Sequence, residues 1–282
     1  MIVHLIDGTY ELFRHFYGLR RFTKKDRPFG AVAGVLSTVL EMVEGGATHL
    51  GVATDHVIES FRNKIWSGYK TGEGIEPALW AQFHSLEDAL EAMGVVVWPM
   101  VDLEADDALA SAAAVASKNK SVEKVCIWTP DKDLAQCVRG DFVVQVDRKT
   151  KAIRNADEVQ KKFGVPPELI PDYLALVGDA ADGYPGIEGI GPKGAASLLL
   201  RYGRIEKFPE DALGERRELA LLFKQLATLK TDAPLFKNVN ELNWTGPTLK
   251  FAEWSERLGD KLIARAVKAS AGISAPNESK LY

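Results

Sequence analysis

The sequence predicts an α/β fold: a mostly parallel sheet flanked by helices, followed by a smaller helical subdomain. Three observations lead there. Short β-rich runs alternate with longer helical patterns up to about residue 154. Beyond that point the strands stop and helical patterns continue alone. Of the 282 residues 46% are hydrophobic, enough for a full core and for one or two domains.

Taken in order, residues 2–6 read as a strand and 10–18 as the helix after it. Residues 31–43 are apolar at helical spacing, and 48–53 form a second strand. Residues 77–93 read as one long helix, 95–98 as a short strand and 105–117 as an alanine-rich helix. Residues 122–128 are a strand, 132–138 a short helix and 142–146 a further strand. Helical patterns then cover 156–163, 169–177, 194–202 and 216–226. These elements place an α/β domain at 1–154 and a helical subdomain at 155–269. The small and polar residues from Ser270 onward predict a loose tail over 270–282.

A net charge of −4 gives no global sign of nucleic-acid binding, although binding needs only one basic face. Cys126 and Cys137 form neither a metal pattern nor a disulfide framework, and Cys126 lies in an apolar run that suits a core. No apolar run approaches the ~18 residues of a membrane span. The opening MIVHLIDGTY is too short and too acidic for a signal peptide, so the expected compartment is the cytoplasm.

The acids are informative by position. Asp7 follows the first strand and Asp55 the second. Glu104, Asp106 and Asp107, in VDLEADDALA, lie just past the third. Asp131 and Asp133, in TPDKDL, follow the fourth, and Asp179 and Asp182 sit in VGDAADGYPG. In an open parallel sheet the strand carboxyl ends share one edge, where ligands bind. Each acid alone is explained by capping or by the helix dipole. Their convergence is not, because two carboxylates ~4 Å apart repel by about 4 kcal/mol at an effective dielectric of 20. Carboxylates without His or Cys select a hard ion such as Mg²⁺ or Mn²⁺. Two such ions are a device for cleaving phosphodiesters.

Two further stretches stand out. GIEGIGPKG, with Gly186, Ile187, Gly189, Ile190, Gly191 and Lys193, contains G-x-G-x-x-G but lacks the preceding strand that a dinucleotide site needs. It reads better as a tight hairpin between helices, whose amides and following helix N-terminus can hold a phosphate. A purely structural turn is the alternative. SFRNKIWSGYKTGEG interleaves Arg62, Lys64 and Lys70 with Phe61, Trp66 and Tyr69. That pattern suits single-stranded or frayed nucleic acid, or else an amphipathic connection with solvated lysines. Its place beside Asp55 and its glycines favour a mobile functional flap.

Together, LIDGTY, SFRNKIWSGYK, LEADD, TPDKDL and VGDAADGYPGIEGIGPKGA make the chain resemble the 5′-nuclease family over roughly residues 2–235, with TLKTDAPL as the closing segment. That family includes the 5′→3′ exonuclease domain of bacterial DNA polymerase I, phage 5′ nucleases and flap endonucleases. The resemblance implies a PIN-like α/β domain, an arch at about residues 60–93 and a helix-3-turn-helix (helix-hairpin-helix) module. It implies cleavage of DNA at 5′ flaps, nicked or branched duplex and 5′ ends. It places metal ligands at Asp7, Asp55, Glu104, Asp106, Asp107, Asp131, Asp133, Asp179 and Asp182, for two Mg²⁺ or Mn²⁺ ions. All nine are acidic, so the chain does not resemble a degenerate, inactive member.

By the same resemblance Lys70 touches the scissile phosphate, with Asp7 and Asp107 among the catalytic acids. Tyr69, Lys70, Gly186, Gly189 and Gly191 meet DNA by that resemblance, and the basic stretch and the hairpin themselves add Arg62 and Lys193. The backbone of Gly186, Ile187, Gly189, Ile190 and Gly191 binds K⁺. Two departures stand out. Glu73 replaces an arginine frequent in bacterial members, and Gly183 replaces an asparagine, which is expected to loosen its loop. No polymerase region follows, so the expectation is a monomer, acting alone or beside a separate DNA polymerase. A PIN-type ribonuclease and a non-catalytic branched-DNA binder are the alternatives. The hairpin argues against the first, and nine acids that repel phosphate argue against the second.

Overall fold

The structure, a computed structural model, describes residues 1–20 and 28–274. β1 (Ile2–Asp7) runs directly into α1 (Gly8–Arg20). Two features allow so abrupt a join. Asp7 Oδ1 accepts the Tyr10 N–H at 2.8 Å, satisfying a donor that the first helical turn leaves without a partner. Gly8 presses on the neighbouring strand, where a Cβ would lie 2.7 Å from Val52.

The chain continues through α2 (Gly30–Glu44), β2 (His49–Asp55), α3 (Phe61–Ile65), α4 (Pro77–Trp80) and α5 (Phe83–Ala92). β3 (Val96–Met100), α6 (Ala105–Ala116), β4 (Lys124–Trp128), β5 (Val143–Val146) and β6 (Ile153–Arg154) complete the α/β body. The six strands lie in the order β3-β2-β1-β4-β5-β6, all parallel except β6, which pairs antiparallel with β5. Leu36, Val39, Leu86 and Leu90 from α2 and α5 cover one face. The alanines of α6 pack with Leu5 and Ile127 on the other. Because one set of helices leads outward to β3 and α6 leads back to β4, the strand order reverses between β1 and β4. That crevice is where an open sheet of this kind binds ligands.

α7 (Ala156–Phe163), α8 (Ile170–Val177), α9 (Pro192–Tyr202), α10 (Glu210–Leu213) and α11 (Arg217–Ala227) form a separate helical cluster around Leu174, Leu199 and Phe223. That cluster ends at Ala227 and does not extend to 269. From Leu229 the chain returns to the sheet: Phe236 and Val239 join the α6 face, and Trp244, Phe251 and Trp254 the opposite one. α12 (Ser255–Leu258) and α13 (Asp260–Ser274) close the described chain. Residues 270–274 therefore belong to a helix and not to a loose tail; the rest of that tail, 275–282, lies outside the described residues. No helix among the described residues is long and apolar enough to cross a membrane.

Two elements differ from expectation. The helix expected over 77–93 is broken between α4 and α5. Gln82 stands at the break, and its Oε1 accepts the N–H groups of Ala31 and Val32 at 3.1 and 3.3 Å. It thereby serves the first turn of α2, whose N-cap residue Phe29 supplies no side-chain bond. Residues 132–138 form a 3₁₀ turn, Asp133–Cys137, rather than an α-helix.

Candidate active site

The acids converge at the β1/β4 crevice. Asp7 caps α1 with one carboxylate oxygen and accepts Thr129 Oγ1 at 3.0 Å with the other, which ties the ends of β1 and β4 together. Asp55, at the end of β2, accepts the Ala105 N–H at 2.8 Å and so fixes the start of α6. Asp131 accepts the Asp133 N–H at 2.8 Å, while Gln145 on β5 donates to the Asp131 carbonyl at 2.6 Å. Ligand oxygens of Asp133, Asp179 and Asp182 lie within 4.8 Å of one another. Lys132 pairs with Asp179 at 2.7 Å.

Charge at the site is under-compensated. Burial pushes Asp7 up to about 7, and the nearby Asp55 and Asp131 add to the shift. Burial, followed by Asp131 and Asp7, raises Asp106 well above the usual carboxylate range. Burial, followed by Asp131, Asp182 and Asp179, does the same to Asp133. Asp133 Oδ1 is buried with no hydrogen-bond partner. An orphaned carboxylate oxygen facing other carboxylates is satisfied by a hard cation, so this donor set fits divalent metal.

Lys70 Nζ lies 2.7 Å from Glu104 and 3.1 Å from Asp182. Burial would lower its pKa, but Glu104 and Asp182 outweigh burial and hold the ammonium charged. Glu104 responds in kind: burial would raise it, and Lys70 with Arg62 brings it below its ordinary value.

Several expected roles are corrected. Arg62 is 1% exposed, and its guanidinium is spent inside the protein. It meets Glu104 at 2.9 Å, Asp107 at 2.7 and 2.8 Å, and the Leu226 carbonyl at 2.7 Å. It therefore cannot meet DNA. Asp107 is fully buried, and both its oxygens are taken by Arg62 and by the N–H groups of Glu104 and Lys230. Asp107 is thus a structural anchor, not a metal ligand or catalytic acid. Tyr69 is 3% exposed with its hydroxyl on Glu104, so its ring offers no face to a base. Phe61 is held between Arg62 and Lys230, and Trp66 Nε1 donates to the Gly183 carbonyl at 3.0 Å. The aromatics of this stretch face inward, leaving Lys64 exposed.

Gly183 does not loosen its loop. A Cβ there would lie 2.0 Å from the Gly68 carbonyl oxygen, so glycine permits a direct main-chain contact. In the hairpin, Gly186 and Ile187 are buried against the end of α8, whereas Gly189, Gly191 and Lys193 are exposed at the tip. The residues that composition and spacing did not flag are Thr129, Gln145, Ser60 and Tyr184. Ser60 donates to Glu104 at 2.7 Å. The Tyr184 hydroxyl is buried without a partner near Asp133, Asp182 and Asp179. Their types are ordinary for turns and cores, and only the fold brings them to the acids.

Residues 2–164 match the family model described as 5′-3′ exonuclease, N-terminal resolvase-like domain, and residues 165–250 match 5′-3′ exonuclease, C-terminal SAM fold. The chain is 33% identical over 257 residues to a 5′-3′ exonuclease of Aquifex aeolicus, an alignment covering 88% of each. It is 35% identical over 259 residues to DNA polymerase I of Pseudomonas aeruginosa, covering 84% of this chain and 28% of that protein. The chain thus spans under a third of that polymerase's length. In fold it is similar to the flap endonuclease of phage T5, solved as a pseudo-enzyme-product complex with DNA and metal ions. There the TM-score is 0.63 at 20% identity, covering 97% of this chain and 99% of that one.

Proposed function

The chain belongs to the 5′-3′ exonuclease family, and from that premise we propose that it is a metal-dependent 5′→3′ exonuclease and structure-specific 5′-flap endonuclease acting on DNA. The observation that carries the reading is the meeting of Asp133, Asp179 and Asp182 beside Asp7, Asp106 and Asp131, with one buried oxygen left unpartnered. The first three would hold one ion. Asp7, Asp106 and Asp131, with Asp55 and Glu104 alongside, would hold a second. Mg²⁺ or Mn²⁺ so held would supply the Lewis-acid charge that activates water and steadies the leaving oxygen.

The chain's own residues set the rest. Thr129 and Gln145 hold the β4 loop, and with it Asp131, in place. Lys70 neutralises Glu104 and Asp182 in the free protein; an entering phosphate would draw its ammonium off them and receive its charge in the transition state. The exposed hairpin tip, Gly189 to Lys193, would grip duplex phosphates, with K⁺ against the carbonyls of Gly186, Ile187, Gly189, Ile190 and Gly191. The partner is DNA with 5′ flaps, nicks or branches, met by a monomer in the cytoplasm beside a separate DNA polymerase.

The test is incubation with a labelled 5′-flap duplex, a matching RNA and EDTA. Cleavage of the flap near its junction with Mg²⁺, abolished by EDTA, is expected. Cleavage of RNA alone would instead identify a ribonuclease, and tight binding without cleavage a DNA-structure binder.

A further inference from the structure

Two polar atoms at the trio of Asp133, Asp179 and Asp182 are buried without a hydrogen-bond partner. One is an acceptor, Asp133 Oδ1, and the other a donor, the Tyr184 hydroxyl. The remaining two acids are served inside the protein. Asp179 pairs with Lys132 at 2.7 Å and accepts the Ala181 N–H at 3.0 Å, and Asp182 pairs with Lys70 at 3.1 Å. A buried donor and a buried acceptor left unmade at one site call for an explanation, because each costs its desolvation.

Tyr184 is held so firmly that its hydroxyl cannot turn away. The residue is 1% exposed. Its main chain closes the loop of the acids: the Asp179 N–H donates to the Tyr184 carbonyl at 2.8 Å, and the Tyr184 N–H to the Asp179 carbonyl at 3.0 Å. Its ring packs on Phe223 of α11 with centroids 5.5 Å apart, and Phe223 meets Trp66 edge-on at 5.2 Å. Trp66 Nε1 donates back to the Gly183 carbonyl at 3.0 Å, which closes the ring of contacts. Backbone and ring are thus fixed, and only the O–H bond is left to rotate. Burial, followed by Asp133, Asp182 and Asp179, raises the phenol well above its ordinary value. It keeps its proton and faces these carboxylates as a donor. A phenylalanine would make the same ring contacts without burying a polar atom, so packing alone does not account for the hydroxyl. Groups that hydrogen-bond a metal ligand from behind fix its orientation and set the affinity of the site.

We propose that Tyr184 is a positioning residue for the ion held by Asp133, Asp179 and Asp182: with that ion bound, its hydroxyl donates to the Asp133 carboxylate and so sets the affinity for this one ion. This inference rests on the two-metal nuclease reading above. The test is Tyr184→Phe, which keeps the ring and removes only the hydroxyl. Mn²⁺ binding is followed by the loss of free-ion signal in electron paramagnetic resonance, and thermal unfolding is measured in EDTA and in Mg²⁺. The variant should bind one of two Mn²⁺ ions about tenfold more weakly and the other within about twofold of wild type. In EDTA its unfolding midpoint should equal or exceed that of wild type, because a donor without a partner is gone, while its rise on adding Mg²⁺ should be smaller. Cleavage should need about tenfold more Mg²⁺ for half its maximal rate, yet reach within about twofold of wild type when Mg²⁺ saturates. Mn²⁺ binding identical to wild type would overturn the proposal. A lower midpoint in EDTA together with that unchanged binding would mark the hydroxyl as merely structural. Wild-type protein that binds no Mn²⁺ would instead remove the metal reading on which the proposal stands.

Discussion

At the scale of single residues, the nine acids separate into two kinds that look alike in sequence. Asp131 and Asp182 lie in the under-compensated cluster, where buried carboxylates crowd one another. Asp131→Ala or Asp182→Ala should lower single-turnover cleavage by about a hundredfold or more, the loss expected when an electrostatic stabiliser of the transition state goes. DNA binding should persist, and tighten without metal, because a charge that repels phosphate is gone. Single-turnover rates near wild type in both variants would end the two-metal assignment. Asp107 is the other kind, already paired with Arg62. Arg62→Ala leaves Asp107 buried without its cation, while Glu104 keeps Lys70, and it should cost about 3–5 kcal/mol of stability. Denaturant unfolding measures this; a variant of normal stability with weakened DNA binding would restore Arg62 to the DNA surface. Nothing in the string SFRNKIW separates a phosphate-binding arginine from a buried one. The difference lies in Asp107, 45 positions away, and in the carbonyls of Leu226 and Thr228.

At the scale of elements, legibility follows periodicity. β1, α2, β2, α6 and α7 were readable to within a residue or two because local pattern and tertiary burial agree there. The break between α4 and α5 was not, since the apolar spacing runs unbroken through it. Its cause is the capping of a distant helix by Gln82. The end of α13 reads as tail from Ser270 onward because its residues are small and polar, although Leu262 and Ala266 earlier in the same helix are buried against the α2 face. The hairpin is an element whose shape was legible and whose use is testable. Gly189 has φ +78°, with nothing within 4 Å of where a Cβ would stand. Gly189→Val therefore meets no clash inside the protein; it strains a left-handed position and puts a side chain where phosphate or K⁺ would approach. Binding to flap and nicked duplex should weaken, with little change in rate once DNA is saturating, because a grip on the duplex acts equally in ground and transition states. A short single strand should bind nearly as before. A variant that is folded by circular dichroism and binds flap DNA normally would reduce the hairpin to a structural turn.

At the scale of the whole molecule, the fold concentrates repulsion at the crevice between β1 and β4, and the surrounding structure sustains it. Strand order was beyond the sequence, which showed that acids follow strands but not that β1 and β4 are neighbours, joined through Asp7 and Thr129. The concentration has a thermodynamic signature. Without metal, Asp7 is pushed up to about 7 by burial and by Asp55 and Asp131, and Asp106 and Asp133 move in the same direction. The ordinary value for each is 3.8, so between that pH and about 7 the folded chain holds more protons than the unfolded one. The contribution of these carboxylates to stability must then fall as pH rises through this window, by at most about 1.4 kcal/mol per pH unit for each such group, while His4 and His15, which burial pushes down to about 4, act the other way below about 6.5. A salt-bridged carboxylate would give the opposite slope. Divalent metal that binds only the folded state should add stability, and most at the upper end of the window, where the carboxylates are ionised. Thermal unfolding followed from about pH 5 to about pH 8 should show the midpoint in Mg²⁺ rising above that in EDTA by an amount that grows with pH. Curves in EDTA and Mg²⁺ that coincide across the range would mean that the acids are neither crowded nor joined by an ion. The two-metal reading would then lose its physical basis, whatever activity the chain displays.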